Sequence, residues 1–344
     1  MENIKFDFED INIIPSVTSD INSRSECSAS WYQDSKFLPL IAAPMDTVVS
    51  IDNIQTFIDN NIFVCIPRGQ KLPNKYKSNA CVFASFGISD MEEAILNMND
   101  ILSDHTNILI DIANGHMQRM INVVKEIKRI KPSCKLMVGN VANPETYKVL
   151  AEAGADYIRF SVGSGAGCST SCNTGIHYPV ASLIKEANDI RKEYNLHTYI
   201  IADGGMRNFS DIIKALALGA DFVMCGSIFA KSIESCAPVY WKGYRIKSQK
   251  LIEFMWKHKF KLRKRYRGMS TKEVQKSWGN TKLKTSEGVI RYFNVEYTLS
   301  QWTENFTDYL KSAMSYTNSR TLEEFRNKSK FVFITQNALN RFKK

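Results

Sequence analysis

The chain has 344 residues, of which 44% are hydrophobic, and it carries a formal net charge of +10. Its length suffices for one barrel-sized domain or for two smaller ones. The acidic N-terminus MENIKFDFED lacks the apolar core of a signal peptide, and no stretch reaches the roughly 18 apolar residues that a membrane span needs. We therefore expect a cytoplasmic protein that does not enter a membrane.

Eight apolar segments predict strands, and helix-like segments lie between them. The strands are expected at 38–46, 62–66, 81–87, 108–114, 135–141, 157–163, 198–205 and 222–228, and the helices include 50–60, 89–101, 117–130, 144–153, 180–194 and 208–218. Strands that are apolar on both faces and alternate with helices predict parallel βα units, and eight such units form a (β/α)8 TIM barrel. The alternative is a doubly wound sheet with a second domain, but no GxGxxG opens a helix after the first strand.

The barrel pattern stops after the eighth strand. Residues 242–267 hold eleven Lys or Arg with Trp256, Phe260 and Tyr266 interleaved, as in an RNA-binding protein. The run KFKLRKR nevertheless alternates as an exposed hairpin strand does, which favours a solvated surface. We predict one domain over 1–344, in which 236–297 forms a basic hairpin and a flap over the barrel mouth. A helix at about 300–316 and a strand at 331–335 are expected to pack on the barrel.

The cysteines indicate a reducing compartment and one reactive loop. The chain contains eight cysteines, and most lie in apolar, strand-like runs rather than at the spacings of a small disulfide framework. Cys168 differs, because it follows a strand at the crest of the glycine-rich loop GSGAGCST, where a stabilised thiolate can act as a nucleophile. Thr170 offers a hydroxyl for proton transfer. Cys172 suggests a metal ligand, but no second Cys or His pair has ligand spacing, so we expect no zinc.

Polar and glycine residues stand where the chemistry of a barrel collects, after the carboxyl ends of the strands. Asp203, Gly204 and Gly205 follow the seventh strand, and Gly226 and Ser227 follow the eighth. Barrels commonly hold a phosphate there on backbone N–H groups, so we expect a phosphorylated ligand. Asp203 would accept hydrogen bonds from the two hydroxyls of a ribose. In the flap, Glu287 is a candidate for proton transfer. The alternative is that Glu287 is an ordinary solvated residue of a loop.

Several motifs, in combination and order, make residues 6–335 resemble the IMP dehydrogenase and GMP reductase family. These motifs are AAPMDTV (42–48), IDIANG (110–115), GN (139–140), GSGAGCST (163–170), TGIHYP (174–179), IIADGG (200–205), VMCGS (223–227), GMS (268–270) and EG (287–288). SRSE at 23–26, ANG at 113–115 and TGxxYP at 174–179 resemble the reductase members. The chain also lacks paired regulatory domains and has a short flap without the Arg-Tyr pair that the dehydrogenase uses to activate water.

The resemblance implies that GMP, NADPH and a proton give IMP, ammonia and NADP. Cys168 would attack C2 of the purine, while Thr170 and Glu287 would transfer protons to the leaving ammonia. The implied substrate-binding residues are Asp203, Gly204, Gly205, Gly226, Ser227, Gly268, Met269, Ser270 and Gly288. The implied NADPH-binding residues are Ser23, Arg24, Arg68, Asp111, Ile112 and Ala113. Carbonyls near Gly163, Gly165 and Cys168 would coordinate a monovalent cation such as potassium, and the chain would form a homotetramer.

The chain departs from the family pattern at several positions. Ala166 replaces a serine that donates to phosphate, Ser171 replaces an arginine beside the cation site, and His177 replaces a glycine. Arg68 stands where the reductase has a lysine, and an arginine cannot donate its proton in the same way. YRGM at 266–269 is closer to the dehydrogenase form. These differences leave three alternatives: an IMP dehydrogenase without regulatory domains, a reductase of a related purine nucleotide, and a purine-nucleotide or RNA-binding protein on an inactive scaffold.

Overall fold

A closed barrel of eight parallel strands forms the centre of the computed structural model, which describes residues 4–32, 35–97, 100–277, 282, 285–286 and 288–342. The barrel strands are β1 (Leu40–Ala42), β2 (Phe63–Ile66), β3 (Val82–Phe86), β4 (Asn107–Asp111), β5 (Lys135–Val141), β6 (Tyr157–Phe160), β7 (Tyr199–Asp203) and β8 (Phe222–Cys225). Each strand pairs with the next in the chain, and β8 closes the barrel by pairing in parallel with β1. The (β/α)8 prediction is confirmed, and each predicted strand segment overlaps one barrel strand, with β4 beginning one residue before its predicted segment, at Asn107.

Both faces of the barrel strands are buried, which explains why they read as continuous apolar runs. Phe63 and Cys65 of β2 point into the barrel interior, whereas Val64 and Ile66 pack under the surrounding helices. At the bottom of the barrel, Trp31 closes the interior with its ring 5.2 Å from that of Phe222. Burying one such large apolar side chain contributes about 1.5–3 kcal/mol, so the interior positions stabilise the barrel strongly.

Helices surround the barrel in the predicted alternation. The helices between the barrel strands and directly after β8 are Ile54–Asp59, Asn74–Lys77, Ile88–Asn97, Asp100–Asp104, Gln118–Ile130, Glu145–Glu152, Thr170–Thr174, Val180–Glu193, Phe209–Ala217 and Ser227–Ala230. Within the described ranges, no helix combines the length and apolarity that crossing a membrane requires.

The segment after β8 folds into a second, smaller sheet that we call the lid, defined as the described residues between 239 and 294. Its antiparallel strands are β9 (Val239–Trp241), β10 (Tyr244–Ile246), β11 (Arg263–Arg267) and β12 (Ile290–Asn294), in the order β10-β9-β11-β12. The lid also contains the helices Gln249–Lys257 and Lys272–Ser277.

The lid corrects one prediction from the sequence. The alternating run KFKLRKR was expected to be an exposed hairpin strand, but Lys264 and Tyr266 of β11 are buried, with 0% and 3% of their surface accessible. Lys264 is satisfied there because its Nζ donates to the carbonyls of Ile233 and Ser235 and to the Ser235 hydroxyl, at 2.8, 2.5 and 2.8 Å. Burial lowers the pKa of Lys264 to about 7. The segment is therefore a structured sheet with a buried cation, not only a solvated hairpin.

The two ends of the chain meet on the outside of the barrel. Ile11–Ile14 pairs antiparallel with Lys330–Phe333, so the predicted C-terminal strand is present, and its N-terminal partner was not predicted. The remaining helices are Leu299–Tyr316, Leu322–Lys328 and Gln336–Phe342, together with the short 3-10 helices Phe8–Asp10 and Arg24–Glu26.

Candidate active site

Cys168 lies at the carboxyl end of the barrel, in the loop that follows β6. Its backbone N–H donates to the Gly165 carbonyl at 2.9 Å, which holds the loop in a tight turn. Its thiol is half-buried and donates to the hydroxyl of Thr170 at 3.2 Å. Thr170 opens the helix Thr170–Thr174, so the start of that helix fixes the position of the hydroxyl. The pair provides a nucleophile and an adjacent group that can receive its proton.

Two glycine-containing segments of the lid lie directly on this loop. Val289 N–H donates to the Gly167 carbonyl at 3.0 Å, and Gly268 N–H donates to the Val289 carbonyl at 3.1 Å. Gly288 forms an isolated antiparallel bridge with Cys168. A Cβ added at Gly268 would lie 2.1 Å from the Gly167 carbonyl oxygen, so this approach requires glycine. The structure thus brings the predicted substrate residues Gly268 and Gly288 to the predicted nucleophile.

Met269 and Ser270 follow Gly268 in the same turn, which leads into the helix Lys272–Ser277. The Thr271 N–H donates to the Gly268 carbonyl at 3.4 Å, and the Gln275 side chain donates to the Ser270 carbonyl at 3.2 Å. Glu287, the third predicted catalytic residue, lies outside the described residues.

The loop after β7 adjoins the cysteine loop, and the loop after β8 adjoins Tyr266 of the lid. Gly204 and Gly205 have φ values of +80° and +87°, which favour glycine, and a Cβ at Gly204 would lie 2.9 Å from the Ser164 hydroxyl. Gly226 faces the Tyr266 hydroxyl of the lid, and Ser227 opens the helix Ser227–Ala230. Backbone N–H groups at these turns can therefore serve a phosphate close to Cys168.

A buried ion network connects two of the predicted binding residues. Arg159 of β6 donates to Asp111 at 2.7 Å and to Asp203 at 2.8 Å, and only 6% of its side-chain surface is exposed. Burial disfavours the charge, but the Asp203 and Asp111 carboxylates overcome it and raise the pKa of Arg159 above its ordinary value. Sequence reasoning missed Arg159, although a cation inside the apolar strand Tyr157–Phe160 was a detectable signal.

The predicted cofactor residues fall into two groups that one chain does not bring together. Arg68 Nε lies 3.9 Å from an Asp111 oxygen at the barrel mouth. Ile112 and Ala113 continue from there, and Ile112 accepts a hydrogen bond from Asn140 N–H at 2.8 Å. In contrast, Ser23 and Arg24 belong to the 3-10 turn that packs on the helix Leu299–Tyr316, where Arg24 pairs with Asp308 at 3.2 Å.

The carbonyls predicted to coordinate a cation already accept hydrogen bonds within their own loop. The Ser171 hydroxyl donates to the Gly163 carbonyl at 2.9 Å, and the Gly165 carbonyl accepts the Cys168 N–H. His177 Nδ1 lies 3.0 Å from the neighbouring carbonyl of Val162. Among the described residues, no group of three or more His, Cys, Asp or Glu side chains is arranged to hold a metal ion.

Arginines of β11 anchor the lid to the barrel mouth. Arg267 donates to Asp46 at 2.5 Å and to Glu273 at 2.7 Å, and Arg265 donates to the other Glu273 oxygen at 2.7 Å. Hydrogen bonds from Arg265 and Arg267 lower the pKa of Glu273. The Tyr266 hydroxyl donates to Met45 Sδ at 3.1 Å between them. The two contacts with the barrel were not predicted, because Met45 and Asp46 each lie 221 residues from their lid partners in the chain. The Glu273 pairs are contacts within the lid and were not predicted either.

Comparisons with known proteins agree with the predicted family. The family model described as IMP dehydrogenase / GMP reductase domain matches residues 70–342. GMP reductase 2 of Mus musculus is 28% identical over 97% of this chain and 95% of its own length. GMP reductase of Shouchella clausii is 31% identical over 95% of this chain and 94% of its own. GMP reductase of Bacillus thuringiensis subsp. konkukian is 35% identical over 68% of this chain and 73% of its own.

Proposed function

The chain belongs to the IMP dehydrogenase / GMP reductase family, and from this premise we propose that it is an NADPH-dependent GMP reductase. The reaction converts GMP, NADPH and a proton into IMP, ammonia and NADP+. The observation that carries the proposal is the Cys168 thiol, which lies 3.2 Å from the Thr170 hydroxyl at the mouth of a barrel, in a loop whose backbone pairs with Gly288 of the lid. The reductases of Mus musculus and Shouchella clausii match this chain over nearly its whole length.

Cys168 is proposed to attack C2 of the purine. The C–S bond forms as the bond between C2 and the amine breaks, and the amine leaves as ammonia. Because the thiol already donates to Thr170, that hydroxyl is placed to receive the thiol proton and pass it towards the leaving group. Glu287 is proposed as the second proton-transfer group on the strength of the resemblance. When bound, NADPH supplies the hydride that replaces sulfur at C2.

The nucleotide is proposed to lie across the cysteine loop, with its phosphate at the turns after β7 and β8. Gly204, Gly205, Gly226 and Ser227 would donate backbone N–H groups to it. Asp203 would accept from the ribose hydroxyls, since Arg159 occupies its Oδ2 at 2.8 Å and leaves the second oxygen for substrate. Gly268, Met269, Ser270 and Gly288 would close over the base.

The barrel mouth fits the carboxamide end of NADPH. The Asn140 side-chain oxygen is buried beside Ile112 and has no hydrogen-bond partner within the described part of the chain. A buried acceptor of this kind is costly unless a donor reaches it, and a carboxamide N–H is such a donor. Arg68, Asp111, Ile112 and Ala113 would then line the cofactor, with the guanidinium of Arg68 directed to its phosphates.

Ser23 and Arg24 would contact NADPH only from a neighbouring copy, since within one chain they lie on the outer wall. We therefore propose a homotetramer, as the resemblance implies, in which this turn adjoins the next subunit. We also propose a cytoplasmic location, because all eight cysteines are free, as a reducing compartment would keep them.

We assign no step to potassium. The Gly163 carbonyl is occupied by the Ser171 hydroxyl, and a Cβ at Gly163 would lie 2.7 Å from Ser171 Cβ, so this side chain fills the inner side of the loop. This hydrogen bond uses one of the two lone pairs of the carbonyl where the resemblance suggested an ion.

The second candidate, an IMP dehydrogenase, is favoured by one observation, the Arg267 side chain that precedes Gly268 as in the dehydrogenase form. Assays of IMP with NAD and of GMP with NADPH on the same preparation separate the two activities. The reductase proposal predicts loss of NADPH absorbance with GMP and no NADH from IMP, and the opposite pattern would replace it.

Thiol labelling tests the site independently of turnover. Under mild iodoacetamide treatment followed by peptide mass spectrometry, Cys168 and the exposed Cys172 should be alkylated, and GMP should protect Cys168 alone. Cys81 and Cys134 should remain unmodified, because burial raises the pKa of each thiol to about 11. Equal labelling of Cys168 with and without saturating GMP would place the nucleotide elsewhere.

A further inference from the structure

The lid sheet has an inner and an outer face, which its register defines. Val239, Trp241 and Ile246 pack with the lid helix Gln249–Lys257 in a small core of their own. Side chains alternate between faces along a strand, and directly paired residues share a face. Tyr240 pairs with Arg245 on β10 and with Arg263 on β11, so these three side chains lie together on the outer face.

The outer face carries a row of arginines. Arg263, Arg265 and Arg267 alternate along β11, and Arg245 adds a fourth from β10. The two nearest the active site share the carboxylate of Glu273. Arg245 and Arg263 are exposed, and no carboxylate of the described residues lies within ion-pair distance of either. This end of the face therefore holds positive charge that no carboxylate within the described ranges neutralises.

Two tyrosine rings lie between these cations. Tyr292 pairs with Arg265 and therefore faces outward, and 43% of its surface is exposed. Its ring centroid is 5.5 Å from that of Tyr240, and the Arg263 guanidinium lies 5.4 Å above it. Accessible rings flanked by unpaired cations are the features on which proteins stack nucleic-acid bases and hold the adjoining phosphates.

Further cations surround this face on the loops of the lid. Exposed lysines without an ion pair in the described part of the chain are Lys242, Lys247 and Lys261. The strands beneath them are supported by the small core around Ile252 and Met255, so the surface has a fixed shape. It is a sheet face rather than a cleft, so one nucleotide would bury little surface on it, whereas an extended strand would contact several side chains.

We propose that the outer face of the lid binds single-stranded nucleic acid, with bases stacked on Tyr240 and Tyr292 and phosphates held by Arg245 and Arg263. An acidic peptide or an anionic membrane would use the cations but not the stacking geometry of the rings. The surface lies apart from Cys168, and the proposal holds whether or not the chain reduces GMP.

Fluorescence anisotropy with a labelled oligouridylate of about 20 nucleotides, titrated with the full chain, tests the proposal. Tyr292→Ala should weaken binding about tenfold because a base can no longer stack there, while Tyr292→Phe, which keeps the ring, should bind as wild type does. Arg245→Gln/Arg263→Gln should weaken binding and reduce the salt dependence, by about 0.7 in the log–log slope for each phosphate that the variant no longer neutralises.

The matched control is Lys125→Gln/Lys192→Gln, which removes the same charge from two exposed positions on barrel helices. It should leave the affinity within about twofold of wild type, because neither lysine adjoins the lid. Thermal unfolding verifies that each variant is folded.

Four results would overturn the proposal. The first two are that wild type does not bind the oligonucleotide, or that the control variant weakens binding as much as the arginine variant. The third is that a duplex of the same length binds as tightly as the single strand. The fourth is that one equivalent of a mononucleotide, an acidic peptide or anionic vesicles displaces the oligonucleotide.

Discussion

The barrel side of the active site contains an enclosed ion network, whereas the arginine cluster within the lid is held by contacts at the surface. Arg159 bridges Asp111 and Asp203 with 6% of its side-chain surface exposed, but Glu273, which binds Arg265 and Arg267, has 48% exposed. A buried charge left without its partner is costly, while a solvated pair contributes little. The comparison indicates that the barrel network is costly to break and that the arginine cluster within the lid is not, while the lid is held on the barrel by the largely enclosed Arg267–Asp46 pair and the buried Tyr266.

The largest effect should follow from breaking the barrel network. Arg159→Met leaves Asp111 and Asp203 without their common cation, although only 17% and 14% of their side-chain surfaces are exposed. The free energy of unfolding should fall by about 3–5 kcal/mol, measured by chemical denaturation. Arg119→Gln is the control, since it removes an exposed pair with Glu92 and should cost less than about 1 kcal/mol. Equal losses in the two variants would show that the network is not a special feature of the site.

Blocking the approach of lid and barrel should damage catalysis rather than stability. Gly268→Ala puts a Cβ 2.1 Å from the Gly167 carbonyl oxygen and forces the lid away from Cys168. The value of kcat/KM for GMP should fall about 100-fold, as expected for a misplacement of about 1 Å. Gly243→Ala, in the distant β9–β10 turn, meets no neighbour within 4 Å but has a φ of +88°, so it should lower stability slightly and leave kinetics unchanged. A Gly268→Ala enzyme with normal kcat/KM would rule out this contact as a requirement.

Loosening the arginine cluster within the lid should have a smaller effect. Glu273→Gln removes the carboxylate shared by Arg265 and Arg267, and the loss of about 0.2–1 kcal/mol should raise the KM for GMP by at most about fivefold. Because the arginines lower the pKa of Glu273, its contribution is present above the ordinary glutamate pKa and is lost only as pH falls through the lowered value. Steady-state kinetics of wild type and Glu273→Gln, measured from neutral to acidic pH, test this. KM values that already converge near neutral pH would contradict it.

The smallest effect should come from exchanging the monovalent cation. Since the Ser171 hydroxyl already binds the Gly163 carbonyl at 2.9 Å, replacing potassium by sodium should change kcat by less than about twofold. A loss of turnover in sodium that potassium restores would show that an ion shares this loop with Ser171.

The barrel could be predicted from the sequence because burial on both strand faces leaves continuous apolar runs such as Phe63–Ile66. The pairing of Ile11–Ile14 with Lys330–Phe333 could not be predicted, since nothing local in a four-residue strand specifies a partner at the other end of the chain. Lys264 was misjudged for a related reason. Its burial depends on carbonyl acceptors at Ile233 and Ser235, which alternation along β11 does not reveal.

For the site residues too, features that local sequence marks could be predicted, and features that depend on distant pairing could not. The cysteine loop and the turns after β7 and β8 could be located because glycine and polar residues mark strand ends. Arg159 and the anchors of Arg267 depend on three-dimensional pairing between distant segments, so their partners became identifiable only in the folded chain.

The most direct measurement follows NADPH absorbance with GMP for wild type, Cys168→Ser and Cys172→Ser side by side. Cys172 is the matched control, because it is an exposed thiol four residues further along the same segment. The account predicts turnover by wild type and Cys172→Ser, and a loss of at least about a thousandfold in Cys168→Ser with GMP binding retained. Wild-type turnover by Cys168→Ser, or a wild-type enzyme that binds GMP without oxidising NADPH, would contradict the proposed nucleophile or the proposed reaction.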